Sequence, residues 1–520
     1  MTRTAPTVSG TVPAGDPAPV SVASLDRPGL RSADGATLAA AFAVVLMLSP
    51  ARLVFRGLPF SLTPADAVGL FAALWWFCAQ LTTTLGAAKG SNPVRTALFA
   101  YTAAMLATYG YASAAYLPPD ELDMADHSIV LVVATVGIGL GACDGIRGRE
   151  RLDFVLRCLV ISGAAVGVIA ALQFVLEFDL TKYLAFPGFR FTSDLPAILE
   201  RNTLRRVAAT TGHPIELGVV CAMITPLALH YAFGARDRGE PSLRWWVCCA
   251  LIGTGLMFSV SRSAVLGLAV VGVVLVAGWP ARRRLWAALG GAGFLVAMKV
   301  AVPGLMSVFL GLFTSLSSDS SIQYRTHDYA VAAAEIGNHF WVGRGLGTWY
   351  APKHLIFDNQ YILSLVETGV IGVAAFSGIF LTGIWAALRV RRLSSDPAVR
   401  DLGLTLAACL VVPLVGAATF DLRSFATVTG LSFLIIGAAG SLLRATRQPR
   451  AQVVRPPDRS GGEPGESGES GAPGRSGEPG KFGKETGEEV GEKAVEAVGK
   501  ITRPAGRADP PRSPRTDPAR

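Results

Sequence analysis

Residues 354–372 read HLIFDNQYILSLVETGVIG. From Tyr361 onward the run is apolar enough to begin a membrane helix, yet Asp358 and Asn359 stand at its mouth and Glu367 lies just before Gly369. Charge inside hydrocarbon is expensive and normally faces a polar cavity or a partner. The stretch therefore predicts a spanning helix whose first turns face something wet.

The rest of the chain agrees with a membrane setting. Only 16% of the 520 residues are charged and 51% are hydrophobic, whereas a soluble domain carries about 25% charged residues. Apolar runs fill residues 36–443, while 444–520 are almost entirely polar. Runs of about 20 apolar residues, the length needed to cross a bilayer, fall near 36–56, 65–85, 95–116, 127–143, 154–177, 214–233, 243–260, 262–278, 285–302, 368–388, 402–420 and 424–443. The expected fold is an all-α integral membrane protein with about twelve transmembrane helices and two long extracytoplasmic loops, 178–213 and 303–359. Residues 1–35 read as a disordered cytoplasmic N-terminus without the pattern of a cleavable signal peptide. Residues 444–520 read as a disordered cytoplasmic tail, with a short collagen-like glycine repeat over 462–485.

Charge sorts the loops. Lys89 and Arg95, then Arg147, Arg149 and Arg151, then Arg236, Arg238 and Arg244, then Arg282, Arg283 and Arg284, then Arg389, Arg391, Arg392 and Arg400 fall in alternate loops. The loop at 117–126, LPPDELDMAD, holds four acids and no base. By the positive-inside rule both termini are expected on the cytoplasmic side of the membrane. The net charge of +9 then needs no nucleic-acid partner. The seven cysteines form no C-x-x-C pair and read as small buried apolar side chains.

Against that sorting, arginines in the outward loops need a reason. They are Arg190, Arg201, Arg205, Arg206, Arg262, Arg325 and Arg344. Guanidinium groups bind phosphate oxygens in pairs, so several converging from separate loops suit a diphosphate headgroup. Pairing with Glu200, Glu216, Asp194 or ordinary lipid phosphate is the competing account. His213 precedes Pro214 at the start of a span and reads as a cap; His327, His339 and His354 have no metal spacing, so no metal is assigned. Residues 325–340 read as a short surface helix, followed by an irregular turn at GRGLGTW.

Three patterns occur in order: RRVAATTGHPIELGVVCAMITPLAL, SRSAVLGL, and YRTHDYAVAAAEIGNHFWVGRGLGTW followed by DNQYILSLVETGVIG. As an ordered set they resemble the O-antigen ligase and O-antigen polymerase family of bacterial membrane glycosyltransferases, over about residues 36–443 and most strongly over 200–375. The resemblance implies a glycan donor on undecaprenyl diphosphate, a glycan or lipid acceptor whose hydroxyl attacks the anomeric carbon, and no cofactor beyond these substrates. It implies diphosphate contacts from Arg206 and Arg262, with Arg325 matching the arginine that opens the external-loop helix and Arg205 beside the first. Ligases of the family place a histidine before the asparagine of this last motif; here Asp358 stands there, as in polymerase-like members. Asp358, Asn359, Glu367 and His354 are the candidate catalytic residues, with His354 one helical turn before Asp358 as an alternative base. The departure weakens the case for transfer to a lipid A-type acceptor more than the case for glycan transfer.

Two other readings stay open. A polysaccharide-lipid transporter or flippase would carry ionisable residues near mid-membrane and repeated halves; here the charges gather at span ends, with Lys299 the main exception near the end of its span. A membrane scaffold acting through its tail leaves the arginine-bearing loops unexplained.

Overall fold

In the computed structural model the described residues are 34–447, except 83–86, 115–116, 185, 193–197, 202–203, 303 and 305–319; the side chains of 198–201, 204 and 320–328 are also outside the description. The expectations for residues 1–33, for the tail and for its glycine repeat therefore fall outside the described residues.

A helix falls in each of the twelve segments expected to span, but the first, 36–56, is helical only to Leu48 and ends in a short strand, Leu53–Phe55. These helices are α1 (Gly35–Leu48), α2 (Pro64–Leu81), α3 (Pro93–Ala114), α4 (Pro119–Gly145), α5 (Gly148–Val175), α6 (Pro214–Asp237), α7 (Leu243–Phe258), α8 (Arg262–Gly278), α9 (Ala281–Ala301), α11 (Gln360–Leu393), α12 (Pro397–Gly416) and α13 (Ala426–Arg447). One more, α10 (Ser320–Asn338), contains most of the expected surface helix. Eight of them, α2, α4, α5, α6, α9, α11, α12 and α13, are long and apolar enough to cross a membrane; α1, α7 and α8 are shorter apolar helices. Two small antiparallel ribbons accompany them, β1 (Leu53–Phe55) with β2 (Phe189–Phe191) and β3 (Ile198–Arg201) with β4 (Leu204–Val207).

Local sequence explains the helix starts. Asp34 and Thr63 accept the amides of Thr37 and Asp66 in capping boxes, and Pro64, Pro119, Pro214 and Pro397 occupy first turns, where a missing N–H costs nothing. Burial orders the bundle. In α6 and α13, 83% and 89% of the apolar stretch is buried, against 22% in α2 and 6% in α9. The first pair therefore forms the centre and the second pair the rim.

Short connections make successive helices antiparallel, so helix ends gather at two opposite faces. At one face Asp144, at the end of α4, takes Arg95 Nη1 at 3.2 Å, Trp76 Nε1 at 2.9 Å and Arg444 Nη1 at 3.4 Å. At the same face Asp401 takes Arg283 Nη1 at 2.8 Å and Trp279 Nε1 at 3.1 Å. Arginines that sort the loops by charge thus also tie helix ends together.

One element departs from a plain span. Gly369 interrupts α11 with φ 62° and ψ −167°, splitting it into two halves. The break leaves carbonyls on one side and amides on the other without helical partners. The segment after α10 supplies them: Arg344 N donates to Val366 O at 2.9 Å, Gly345 N to Glu367 O at 2.8 Å, Val370 N to Phe340 O at 3.0 Å and Ile371 N to Trp341 O at 3.2 Å. The approach is so close that a Cβ on Gly369 would meet Trp341 C at 2.4 Å, and one on Gly343 would meet Glu367 C at 2.3 Å. The irregular turn GRGLGTW is therefore a clasp around a broken helix.

Candidate functional site

The polar residues of interest lie at the face opposite Asp144 and Asp401, where α6, α8 and α11 begin and α7 ends. The arginine turn is built first. In β4, neighbouring residues point to opposite sides of the ribbon, so Arg205 and Arg206 separate. Arg205 pairs with Glu177 and donates to Phe174 O at 3.4 Å. Arg206 turns the other way, and its Nε donates to Ser259 O at 3.3 Å. Ser259 ends α7, and Arg262 opens α8 three residues later. Arg206 and Arg262 therefore sit at one tight turn, although 56 positions separate them in the chain; Arg205 is directed elsewhere.

A third guanidinium joins this region. Arg52, between α1 and β1, donates from Nη2 to Gly212 O at 3.1 Å. His213, next to it, caps α6: Ile215 N donates to its Nδ1 at 3.1 Å. Burial pushes the His213 imidazole down to about 4, and the charges of Arg206 and Arg52 press it the same way. The ring is thus neutral at neutral pH, lying nearly parallel to Phe425 with centroids 5.8 Å apart. Glu216, fully buried, holds this corner by accepting Gly212 N at 2.7 Å and Thr427 N at 2.6 Å, which joins the start of α6 to the start of α13. Glu216 spends its oxygens on backbone amides.

At the mouth of α11, Asn359 Oδ1 accepts Tyr361 N at 3.0 Å and Ile362 N at 3.3 Å, the contacts of an N-cap. Asp358 beside it is exposed. Glu367 is buried, and Arg423 Nη1 lies 2.9 Å from its Oε2. Arg423 N also donates to Gln360 Oε1 at 2.7 Å, so the turn between α12 and α13 grips the first half of α11 at two levels.

A third cluster surrounds Glu121 in the first turn of α4. Its carboxylate is buried and receives Arg344 Nη2 at 2.7 and 2.9 Å, while Lys353 Nζ lies 2.9 Å from Oε1. His354 Nε2 lies 3.3 Å from the same Oε1, and the His354 ring stacks on Trp349 at 4.3 Å. His354 is therefore oriented by Glu121 before any substrate arrives. Arg325 lies on α10, with its side chain outside the described residues.

Sequence reasoning did not single out Arg52, Glu121, Lys353 or Arg423. Glu121 was legible only as one of four acids in a short loop. Its pairing with Arg344 spans 223 positions, which no local pattern reports.

Apolar helices in a bundle, with guanidinium groups, carboxylates and a capping amide gathered at one face, define the class as a multi-pass membrane protein with a polar site at the helix ends. Residues 247–377 match the family model described as O-antigen ligase, which supports the resemblance to the O-antigen ligase and polymerase family. The matched segment runs from α7 through the break in α11 and includes Arg262, Arg325, His354, Asp358, Asn359 and Glu367, while Arg205 and Arg206 precede it. Comparison with curated proteins finds no match.

Proposed function

We propose that the protein is a membrane glycosyltransferase of surface polysaccharide biosynthesis in the cell envelope. It transfers or polymerises a glycan carried on undecaprenyl diphosphate onto an acceptor hydroxyl at the outer face of the plasma membrane. In this reading the twelve helices α1–α9 and α11–α13 all span, both termini are cytoplasmic, and the face that holds Arg206 is extracytoplasmic. The observation that carries the proposal is the meeting of Arg206 with the Ser259–Arg262 turn, where Arg206 Nε reaches Ser259 O at 3.3 Å.

The acceptor oxygen attacks the anomeric carbon of the donor. A new C–O bond forms, the bond from that carbon to the phosphate oxygen breaks, and its electron pair leaves on the lipid diphosphate. Arg206 and Arg262 stabilise the charge that develops there, and Arg52 adds a further positive charge nearby. Asp358, exposed at the mouth, accepts the hydroxyl proton, whereas His354 already has Nε2 committed to Glu121. Asn359 fixes that mouth as a cap, and Glu367 fixes it from below through Arg423; both are placed here as positioning residues. Arg325 is retained as a further diphosphate contact. No cofactor is needed, because the donor brings its own leaving group.

The test is deletion of the gene followed by sizing of surface glycans. Loss of long chains with single units retained indicates polymerisation, and unattached long chains indicate ligation. Lipid-linked glycan accumulating on the cytoplasmic leaflet would replace the proposal with a flippase.

A further inference from the structure

The β1–β2 ribbon holds two arginines that the proposed transfer does not use. Val54 pairs with Arg190 in the register, and Arg56 is two residues beyond Val54, so Arg56 and Arg190 share one face of the ribbon as diagonal neighbours. Diagonal neighbours sit roughly 7–8 Å apart at the backbone, within reach of each other for side chains of this length. Arg56 N donates to Gly188 O at 2.9 Å, which fixes the strands at this point. On the opposite face Phe55 and Phe189 pack with centroids 4.6 Å apart.

Both guanidinium groups are exposed and line one open cleft of about 630 Å³ together with Gly57, Leu58 and Pro59. No carboxylate is among its lining residues. Large apolar side chains stand on the same ribbon and its approach: Leu58 is 44% exposed and Phe186 57%. The ribbon follows the end of α1 and, through the turn at Leu180–Tyr183, the end of α5. It therefore lies where a bundle of spanning helices meets the headgroup layer. Aromatic and apolar side chains beside arginine are the composition that settles at that boundary, and each arginine gains affinity for anionic lipid there.

We propose that Arg56 and Arg190 form a binding site for the phosphate of an anionic membrane lipid headgroup, separate from the Arg206–Arg262 turn. Their forks grip the phosphate oxygens, while Leu58 and Phe186 rest on the glycerol and upper acyl region. The apolar neighbours favour a lipid over a free anion.

The experiment uses the full chain in detergent, titrated with fluorescently labelled phosphatidylglycerol, with inorganic phosphate as competitor. Arg56→Gln with Arg190→Gln should weaken lipid binding roughly tenfold or more, and Arg56→Lys with Arg190→Lys should keep most of it. Equal binding by the wild type and the double glutamine variant would overturn the site. Full displacement of the lipid by millimolar phosphate would overturn the lipid assignment in favour of a free-anion site. Thermal unfolding of each variant separates lost binding from lost fold. The readout needs no glycan donor, so its failure and failure of the proposed transfer are distinguishable.

Discussion

Glu367 and Arg423 meet 2.9 Å apart across 56 positions of sequence, one on the first half of a broken helix and the other on a turn between two later helices. The carboxylate is buried, and Arg423 is the cation set against it. The pair fastens the clasped helix to the α12–α13 turn and so sets the height of Asp358 and Asn359.

Removing one partner leaves the other charge buried and alone, which costs about 3–5 kcal/mol. Glu367→Ala and Arg423→Ala should each lower the unfolding temperature of the detergent-purified protein strongly. Replacing both with leucine should cost less than either single change. If the single variants unfold like the wild type, the pair does not fasten the helix.

Arg206 and Arg205 supply an internal contrast. Loss of one preorganised electrostatic contact to a developing anion typically costs about 10²–10³ in rate, which is the expectation for Arg206→Gln and Arg262→Gln. Arg205 pairs with Glu177 at the surface, and exposed pairs contribute about 0–1 kcal/mol, so Arg205→Gln should stay within about fivefold. Asp358→Ala should fall less than either arginine variant at the turn. Glycan transfer in proteoliposomes, measured for all four, checks the ranking.

His213 has a pH consequence. Its folded value lies near 4 against an ordinary 6.5. The unfolded chain therefore takes up a proton over this window while the folded chain does not, so stability falls as pH drops from about 6.5 toward 4 and is flat above it. His213→Asn puts a capping side-chain oxygen in place of Nδ1 and removes the titration. Its stability curve should be flatter between those pH values, and an unchanged slope would assign the effect to other groups.

Gly369 is held at φ 62° with no room for a Cβ beside Trp341. Forcing alanine there costs about 1–3 kcal/mol for the backbone conformation alone. Gly369→Ala should loosen the clasp, read as faster hydrogen exchange at the amides of Arg344, Gly345, Val370 and Ile371. Exchange no faster than in the wild type would mean that the break tolerates a side chain.

Asn359→Ala should cost about 1 kcal/mol through the lost cap, and Asn359→Ser should recover most of it. Thermal unfolding of the two variants measures the difference. A rate loss in Asn359→Ser despite restored stability would move Asn359 from positioning to substrate contact.

Much of the fold was legible in the sequence. The twelve apolar segments could be placed because a helix satisfies its backbone within its own run, and the need to bury or lipidate that run is written in some 20 consecutive residues. The GRGLGTW turn was readable as irregular from its glycines, although its purpose was not. Nothing local marks Gly369 as a break: the helix parts there because a chain returning from α10 supplies the hydrogen bonds that the helix gives up.

The order of apolar runs, the family motifs and the presence of unexplained arginines all came from sequence alone, because each is a property of consecutive residues. Which charge meets which was decided only in three dimensions. The turning apart of Arg205 and Arg206, the gathering of Arg344, Lys353 and His354 on Glu121, and the meeting of Glu367 with Arg423 depend on how distant helices pack, and electrostatic pairing acts over ångströms of space whatever the separation along the chain.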